Sequence, residues 1–263
     1  MLTGTSTPAY DADMAEDVTD ATSGLENSSI IGRLLDEISW EGNARKYRGG
    51  GRGKENVLTA EVFYPLNVLP RAWFLGQVIA GARGADGARQ RVIAEIERAE
   101  VSVLPGDLPL ADSTVRVQPD ALVTSPSTYT LVEAKRIRTS RFQTDQLARE
   151  FVATRQQAGE RVPLLLVILG SPPPVAVDKF PQRVSLGDAI TQRLRPLAAS
   201  WEAPSNPTEL ASRICETLAW TTWADIRHTI QANRNRDIEA PAELAATVTR
   251  LCDAATTAID WHS

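Results

Sequence analysis

Four residues near the middle of the chain have the types and the spacing that chemistry on a phosphate needs. Asp120 follows Pro119, Glu133 and Lys135 stand two apart, and Gln146 opens a segment of helical pattern, all within residues 115–150, VRVQPDALVTSPSTYTLVEAKRIRTSRFQTDQLARE. Residues 128–137, TYTLVEAKRI, are rich in β-branched and apolar types and follow a Ser-Pro-Ser cluster, which predicts a strand. Side chains alternate between the faces of a strand, so Leu131, Glu133 and Lys135 share one face while Val132 and Ala134 point to the other. Residues 114–124, TVRVQPDALVT, form a second strand candidate in which Pro119 marks a bend, a bulge or an edge. The loop between the two is short, so an antiparallel hairpin is the simplest pairing, and it carries Asp120 towards Glu133.

Two carboxylates that converge in a partly dry site repel each other unless a proton or a cation lies between them. A hard divalent cation suits that position: Mg²⁺ takes one or two carboxylates, keeps several waters and draws its other ligands from phosphate oxygens, and Mn²⁺ substitutes for it. Lys135 then faces the attacking water or the scissile phosphate, where an ammonium orients the nucleophile, helps remove its proton or stabilises developing negative charge. The chemistry this predicts is metal-assisted hydrolysis of a phosphodiester.

A Glu-x-Lys pair on a strand also arises by chance, so its surroundings decide how to read it. Here the pair lies in a mostly apolar strand, a Pro-Asp pair lies upstream, and the following helix carries Gln146 and Glu150 one turn apart. Residues 163–170, PLLLVILG, then read as a fully buried strand. This order resembles the active-site signature of the PD-(D/E)xK nuclease superfamily, in its RecB-like and phage-exonuclease-like branches. The resemblance covers roughly residues 55–175. It implies an α/β fold with a restriction-endonuclease-like mixed central sheet flanked by helices, and Mg²⁺-dependent cleavage of DNA in phage defence, restriction or repair. By it, Asp120 and Glu133 match the metal-binding acids, Lys135 the catalytic lysine, and Ala134 the residue whose backbone carbonyl completes the metal shell. Gln146 matches the helix glutamine that supports lysine or substrate; where that family commonly has a tyrosine four residues on, this chain has Glu150. Nucleases of this fold begin with a helix that contributes an acid. Glu61, embedded among apolar neighbours, is the candidate ahead of Glu55, with an exposed helix acid as the equal alternative; Glu95 and Glu97 rank lower. A second reading comes from another class: a non-cleaving nucleic-acid-binding or scaffold subunit of a larger defence or repair complex.

The charge balance narrows the partners. A net charge of −5 gives no global attraction to DNA, so phosphate contacts must come from local basic groups. Arg136, Arg138, Arg141 and Arg149 crowd the candidate site, and forked guanidinium donors suit phosphate. Arg138 and Arg141 are the better candidates for substrate, and a solvated helix face is the alternative for Arg149. Residues 43–54, NARKYRGGGRGK, hold five basic residues around a glycine run, with Arg52 and Lys54 as further candidates for nucleic-acid contact. A P-loop is rejected there, because Arg48 occupies the first required glycine and Glu55 replaces the Ser or Thr after Lys54. Two histidines, His228 and His262, exclude enzymes built on histidine clusters. Two distant cysteines, Cys215 and Cys252, predict buried reduced thiols.

The remaining elements have to position this site. Residues 1–29 hold six acids and no Lys or Arg, which predicts a disordered acidic leader; residues 30–54 predict a short amphipathic helix over 30–39 and the basic glycine-rich loop. A nuclease core is expected over 55–178. Within it, residues 56–64 read as a helix that Pro65 and Pro70 interrupt or kink, residues 81–87 as a turn, and residues 89–104 as the long first strand, with a helix over 88–98 as the competitor. Residues 179–263 predict a helical subdomain, with helices around 186–197, over 210–231 and over 242–259, and a helix start at 205–209 where Pro207 falls in the first turn. Trp201, Trp220, Trp223 and Trp261 read as helix-packing residues, with a base-stacking platform as the alternative. This subdomain is expected to act as a cap, a homodimer contact or a docking surface for a protein partner. No apolar run approaches membrane-spanning length and no signal peptide is evident, so the protein is expected in the cytoplasm.

Overall fold

The computed structural model describes residues 53–110, 116–138, 141–194, 206–236 and 241–263. The expected acidic leader, the helix over 30–39, Arg52 and the side chain of Lys54 lie outside the described residues.

The described residues open with α1 (Gly53–Val68), α2 (Leu75–Gly81) and α3 (Asp86–Glu95), followed by a 3₁₀ turn at Ile96–Arg98. Pro65 does not end α1: the helix runs on to Val68, and Leu69 N donates to the Pro65 carbonyl at 2.8 Å. A proline inside a helix costs about 3 kcal/mol. Leu58, Val62, Phe63 and Leu66 are buried along α1, and each such side chain contributes about 1.5–3 kcal/mol, so packing offsets the cost. Residues 89–104 are not one long strand. Ala88, Val92 and Ile96 recur at intervals of four and are all buried, so the competing helical period wins, and only β1 (Glu100–Val103) is extended.

The predicted strand over 114–124 divides at Pro119. β2 (Leu108–Pro109) pairs with β3 (Arg116–Val117), and after the break β4 (Ala121–Thr124) joins the main sheet. β5 (Thr128–Ala134) pairs antiparallel with β4, Ala121 opposite Val132, as the hairpin expectation requires. Next come β6 (Arg141–Phe142), α4 (Gln146–Ala158) and β7 (Val162–Leu169), which lies parallel to β5 with Glu133 beside Val167. β8 (Ala176–Val177) pairs parallel with β6 in a small ribbon, and α5 (Leu186–Leu194) follows.

The expected helix over 210–231 is interrupted. α6 (Pro207–Thr217) starts as predicted, with Asn206 as N-cap accepting from Thr208 N at 2.9 Å, but it ends at Thr217. β9 (Leu218–Thr222) then pairs parallel with β7, and α7 (Trp223–Arg234) begins at a capping box formed by Thr222 and Asp225. α8 (Ala242–His262) closes the chain. β9, which lies beyond residue 178, is therefore part of the same sheet as the strands before it, so the described residues of that segment are not purely helical.

The result is a mixed α/β architecture around a five-stranded sheet ordered β1-β4-β5-β7-β9, antiparallel on the β1 side and parallel from β5 to β9. Both faces are buried. Val132, Ala134, Leu164, Leu166 and Ile168 belong to one core with residues of α1, α2, α3, α7 and α8, while Leu131, Leu165, Val167 and Leu169 belong to the other with α4 and α5. A strand covered on both sides reads as a continuous apolar run, which is why residues 163–170 were legible as buried. Cys252 is buried as expected, but Cys215 is exposed on α6; both are free. No described helix is long and apolar enough to cross a membrane.

Candidate metal centre

Three elements converge where β5 ends. Asp120 immediately precedes β4, Glu133 is the penultimate residue of β5, and Glu55 lies in the first turn of α1. One carboxylate oxygen from each lies within 4.8 Å of the others. The hairpin fixes Asp120 at both ends: its N–H donates to the Val132 carbonyl at 3.0 Å, and its Oδ2 accepts from Ala134 N at 2.7 Å. Ala134 is thus at the site through its backbone, its side chain being buried on the opposite face of β5.

Lys135 follows directly. Its N–H donates to the Ile168 carbonyl at 2.8 Å, and its own carbonyl accepts from Trp223 Nε1 at 2.7 Å. Its Nζ donates to Glu55 at 3.1 Å and to Glu133, and it lies 5.1 Å from the centre of the Phe142 ring. Gln146, the first residue of α4, donates from Nε2 to Glu133 Oε1. One turn on lies the buried Glu150, close enough to Glu133 to feel its charge, and its Oε2 has no hydrogen-bond partner among the described residues.

Burial, then the charges of Glu133 and Glu55, push the Asp120 carboxyl well above the usual carboxylate range. Burial also raises Glu133, with Glu55 adding to the effect against the pull of Lys135. Glu150 is raised well above its ordinary value by burial and by Glu133. Burial alone would lower Lys135, but Glu133, Glu55, Glu150 and Asp120 outweigh it and hold the ammonium above the ordinary lysine range. Four carboxylates thus surround one ammonium, and the excess negative charge calls for protons or a cation. The donor set fits a hard divalent cation: it is all oxygen, comes from three separate elements and contains neither His nor Cys.

The structure brings Asp120, Glu133, Ala134, Lys135 and Gln146 together; it does not bring Glu61. Six residues beyond Glu55, Glu61 falls on another face of α1, with its side chain 49% exposed and its carboxylate 3.5 Å from His262 Nε2. The helix acid at the cluster is Glu55. Glu95 accepts from the Ser125 hydroxyl and from Ser127 N at 3.3 Å, and Glu97 accepts from Ala72 N at 2.8 Å, so both serve loops elsewhere. Among the arginines, Arg138 donates to the Ser263 carbonyl at 2.7 Å, Arg141 pairs with Asp178 at 3.1 Å, and Arg136 is half-buried. Glu55 was weighed and ranked behind Glu61, and Glu150, Phe142 and Trp223 were not among the expected site residues. The only sequence signal for Glu150 is its place four residues after Gln146, and nothing local marks Phe142 or Trp223.

Two residues remote in sequence lie against the backbone at and just after Lys135, and each gives a prediction. A Cβ on Gly170 would lie 1.8 Å from the Ile137 carbonyl oxygen, so the segment after Lys135 crosses the end of β7 at a distance only glycine permits. Gly170→Ala is expected to lower stability by about 1–3 kcal/mol, read by urea unfolding, because backbone must move. Trp223→Phe removes the N–H to Lys135 and, because phenyl is smaller than indole, leaves a small cavity that adds to the cost. A buried carbonyl left without its donor costs about 1–3 kcal/mol, and the same unfolding experiment is expected to show that loss.

Comparison of the chain with protein-family models, with curated protein sequences and with solved structures finds no match.

Proposed function

We propose that this protein is a metal-dependent nuclease that hydrolyses phosphodiester bonds of DNA, on a restriction-endonuclease-like fold of the PD-(D/E)xK type. The observation that carries the reading is the convergence of Asp120, Glu133 and Glu55 around the Lys135 ammonium at the end of an antiparallel hairpin. The order hairpin, helix with Gln146, buried parallel strand supports it further.

Asp120, Glu133 and Glu55 are the residues that would hold Mg²⁺, or Mn²⁺ in its place. When bound, such an ion supplies Lewis-acid stabilisation of the phosphate and activation of water. The chain's own groups do the rest. Ala134 N–H fixes the direction of Asp120, and Gln146 fixes Glu133. Lys135 Nζ, which donates to Glu133 and Glu55, has a third donor and would stabilise the negative charge that grows on the phosphate in the transition state. The water oxygen forms a bond to phosphorus as the bond to the leaving nucleoside oxygen breaks, and one proton of the water passes to the leaving side or to solvent.

A second reading, a non-cleaving nucleic-acid-binding or scaffold subunit, is favoured in its scaffold form by the internal engagement of Arg138 and Arg141 with Ser263 and Asp178, which draws these guanidiniums away from a phosphate. One experiment separates them. Purified protein is incubated with linear, circular and single-stranded DNA in Mg²⁺, Mn²⁺ or EDTA, beside a folded Lys135→Ala variant. Metal-dependent cutting that the variant loses is the expected result; binding without cutting by wild type under every condition would favour the scaffold.

A further inference from the structure

We infer that Phe142 is a positioning residue for Lys135: its ring fixes the ammonium against the acid cluster and so sets the rate of cleavage. The inference rests on the nuclease reading above and adds a residue to it. An ammonium has three N–H donors, and two of those on Lys135 go to Glu133 and Glu55. The Phe142 ring closes a further side, its centre 5.1 Å from Nζ and so within the roughly 6 Å over which a ring face attracts a cation. Phe142 is fully buried and Lys135 nearly so, which leaves little water to compete, and the attraction is strongest when desolvated.

The ring is also held independently of the strand that carries the lysine. Lys135 hangs from the end of β5, whereas Phe142 belongs to the β6–β8 ribbon, opposite Val177, with Asp178 N donating to the Phe142 carbonyl at 2.9 Å. A lysine head on a flexible four-carbon stem is poorly located by its backbone alone. Here one element fixes the stem and another fixes the head.

Phe142 also lies in the apolar core on that face of the sheet, so a test has to separate ring electrostatics from packing. Site-specific replacement of Phe142 in the full chain by 4-fluoro-, 3,5-difluoro- and 3,4,5-trifluorophenylalanine removes the negative ring face stepwise at nearly constant shape. The expected result is a stepwise fall in kcat for Mg²⁺-dependent DNA cleavage, to about a tenth at three fluorines, with KM unchanged and Tm lowered by no more than loss of the one cation–ring contact accounts for. The contact itself is read without activity. The chain has four lysines, Lys46, Lys54, Lys135 and Lys179, so in ε-¹³C-lysine NMR one ε-methylene signal should be shifted upfield by the ring and should lose that shift in Phe142→Leu. A flat kcat across the fluorinated series in an active protein would overturn the positioning role, as would the absence of a ring-shifted lysine. A wild type that keeps the shifted lysine and cuts nothing would instead sink the nuclease reading, and the kinetic role with it.

Discussion

Replacing Asp120 with asparagine is expected to make the metal-free protein more stable at neutral pH while abolishing its response to divalent cations. Burial and the neighbouring acids raise the carboxyls of Asp120, Glu133 and Glu150 in the folded state. Each therefore holds its proton more tightly folded than unfolded, and folding takes up protons between the ordinary carboxylate value, about 4, and the raised folded values. The stability from these protonated forms is full below that window and is lost as pH rises through the folded pKa. Asparagine has no proton to lose and still accepts from Ala134 N, so Asp120→Asn removes one repelling charge without removing the bond that orients it. A gain of about 1–3 kcal/mol at pH 7.5, shrinking at pH 5, is expected from urea unfolding without metal. With Mg²⁺ at about 100 times its Kd, wild type gains about 2.7 kcal/mol and the variant almost nothing. A variant less stable than wild type in EDTA, with an equal Mg²⁺ response, would contradict the placement of Asp120 in a cation site.

Lys135→Met is expected to do the reverse from the same cluster. It removes the only ammonium among four carboxylates and leaves Glu133 and Glu55 without the cation that now pairs with them. Removing one partner of a buried ion pair costs about 3–5 kcal/mol, so the metal-free variant should unfold at much lower urea than wild type. Mg²⁺ should restore most of that loss, because the ammonium no longer competes for the same oxygens. Cleavage should not return with it. Loss of a preorganised charge at the transition state predicts a fall of about 100- to 1,000-fold in kcat even at saturating metal. A variant that folds as well as wild type in EDTA would show that Lys135 does not neutralise the acids.

The opposite signs follow from local geometry, much of which is readable along the chain. Alternation on a strand put Glu133 and Lys135 on one face, and the short Ser-Pro-Ser connection forced the hairpin that delivers Asp120. Gln146 was found because a helix must restart after the loop, and β7 because a doubly covered strand is apolar throughout. What escaped depends on long-range packing. Apolar neighbours pointed to Glu61, but helices are apolar around any buried stripe; the face of α1 turned to Asp120 is set by how α1 lies on the sheet and against α8, and that face carries Glu55. Residues 89–104 fit both a partial strand alternation and a four-residue repeat, and only the buried partners of Ala88, Val92 and Ile96 choose between them. β9 was hidden inside a helical pattern, although Thr222 and Asp225, three apart, mark a fresh helix start and so the end of whatever precedes it. Phe142 and Trp223 carry no local sign of a site, since each looks like a core aromatic and only the fold brings it to Lys135.

Everything proposed for catalysis depends on Asp120, Glu133 and Glu55 holding a divalent cation, and calorimetric titration of Mn²⁺ into the metal-free protein at pH 7.5 addresses that directly. Wild type should bind with a saturable isotherm and release protons as the raised carboxyls give them up, and both signals should vanish in Asp120→Asn. No saturable binding by wild type, or equal binding by the variant, would contradict the metal centre.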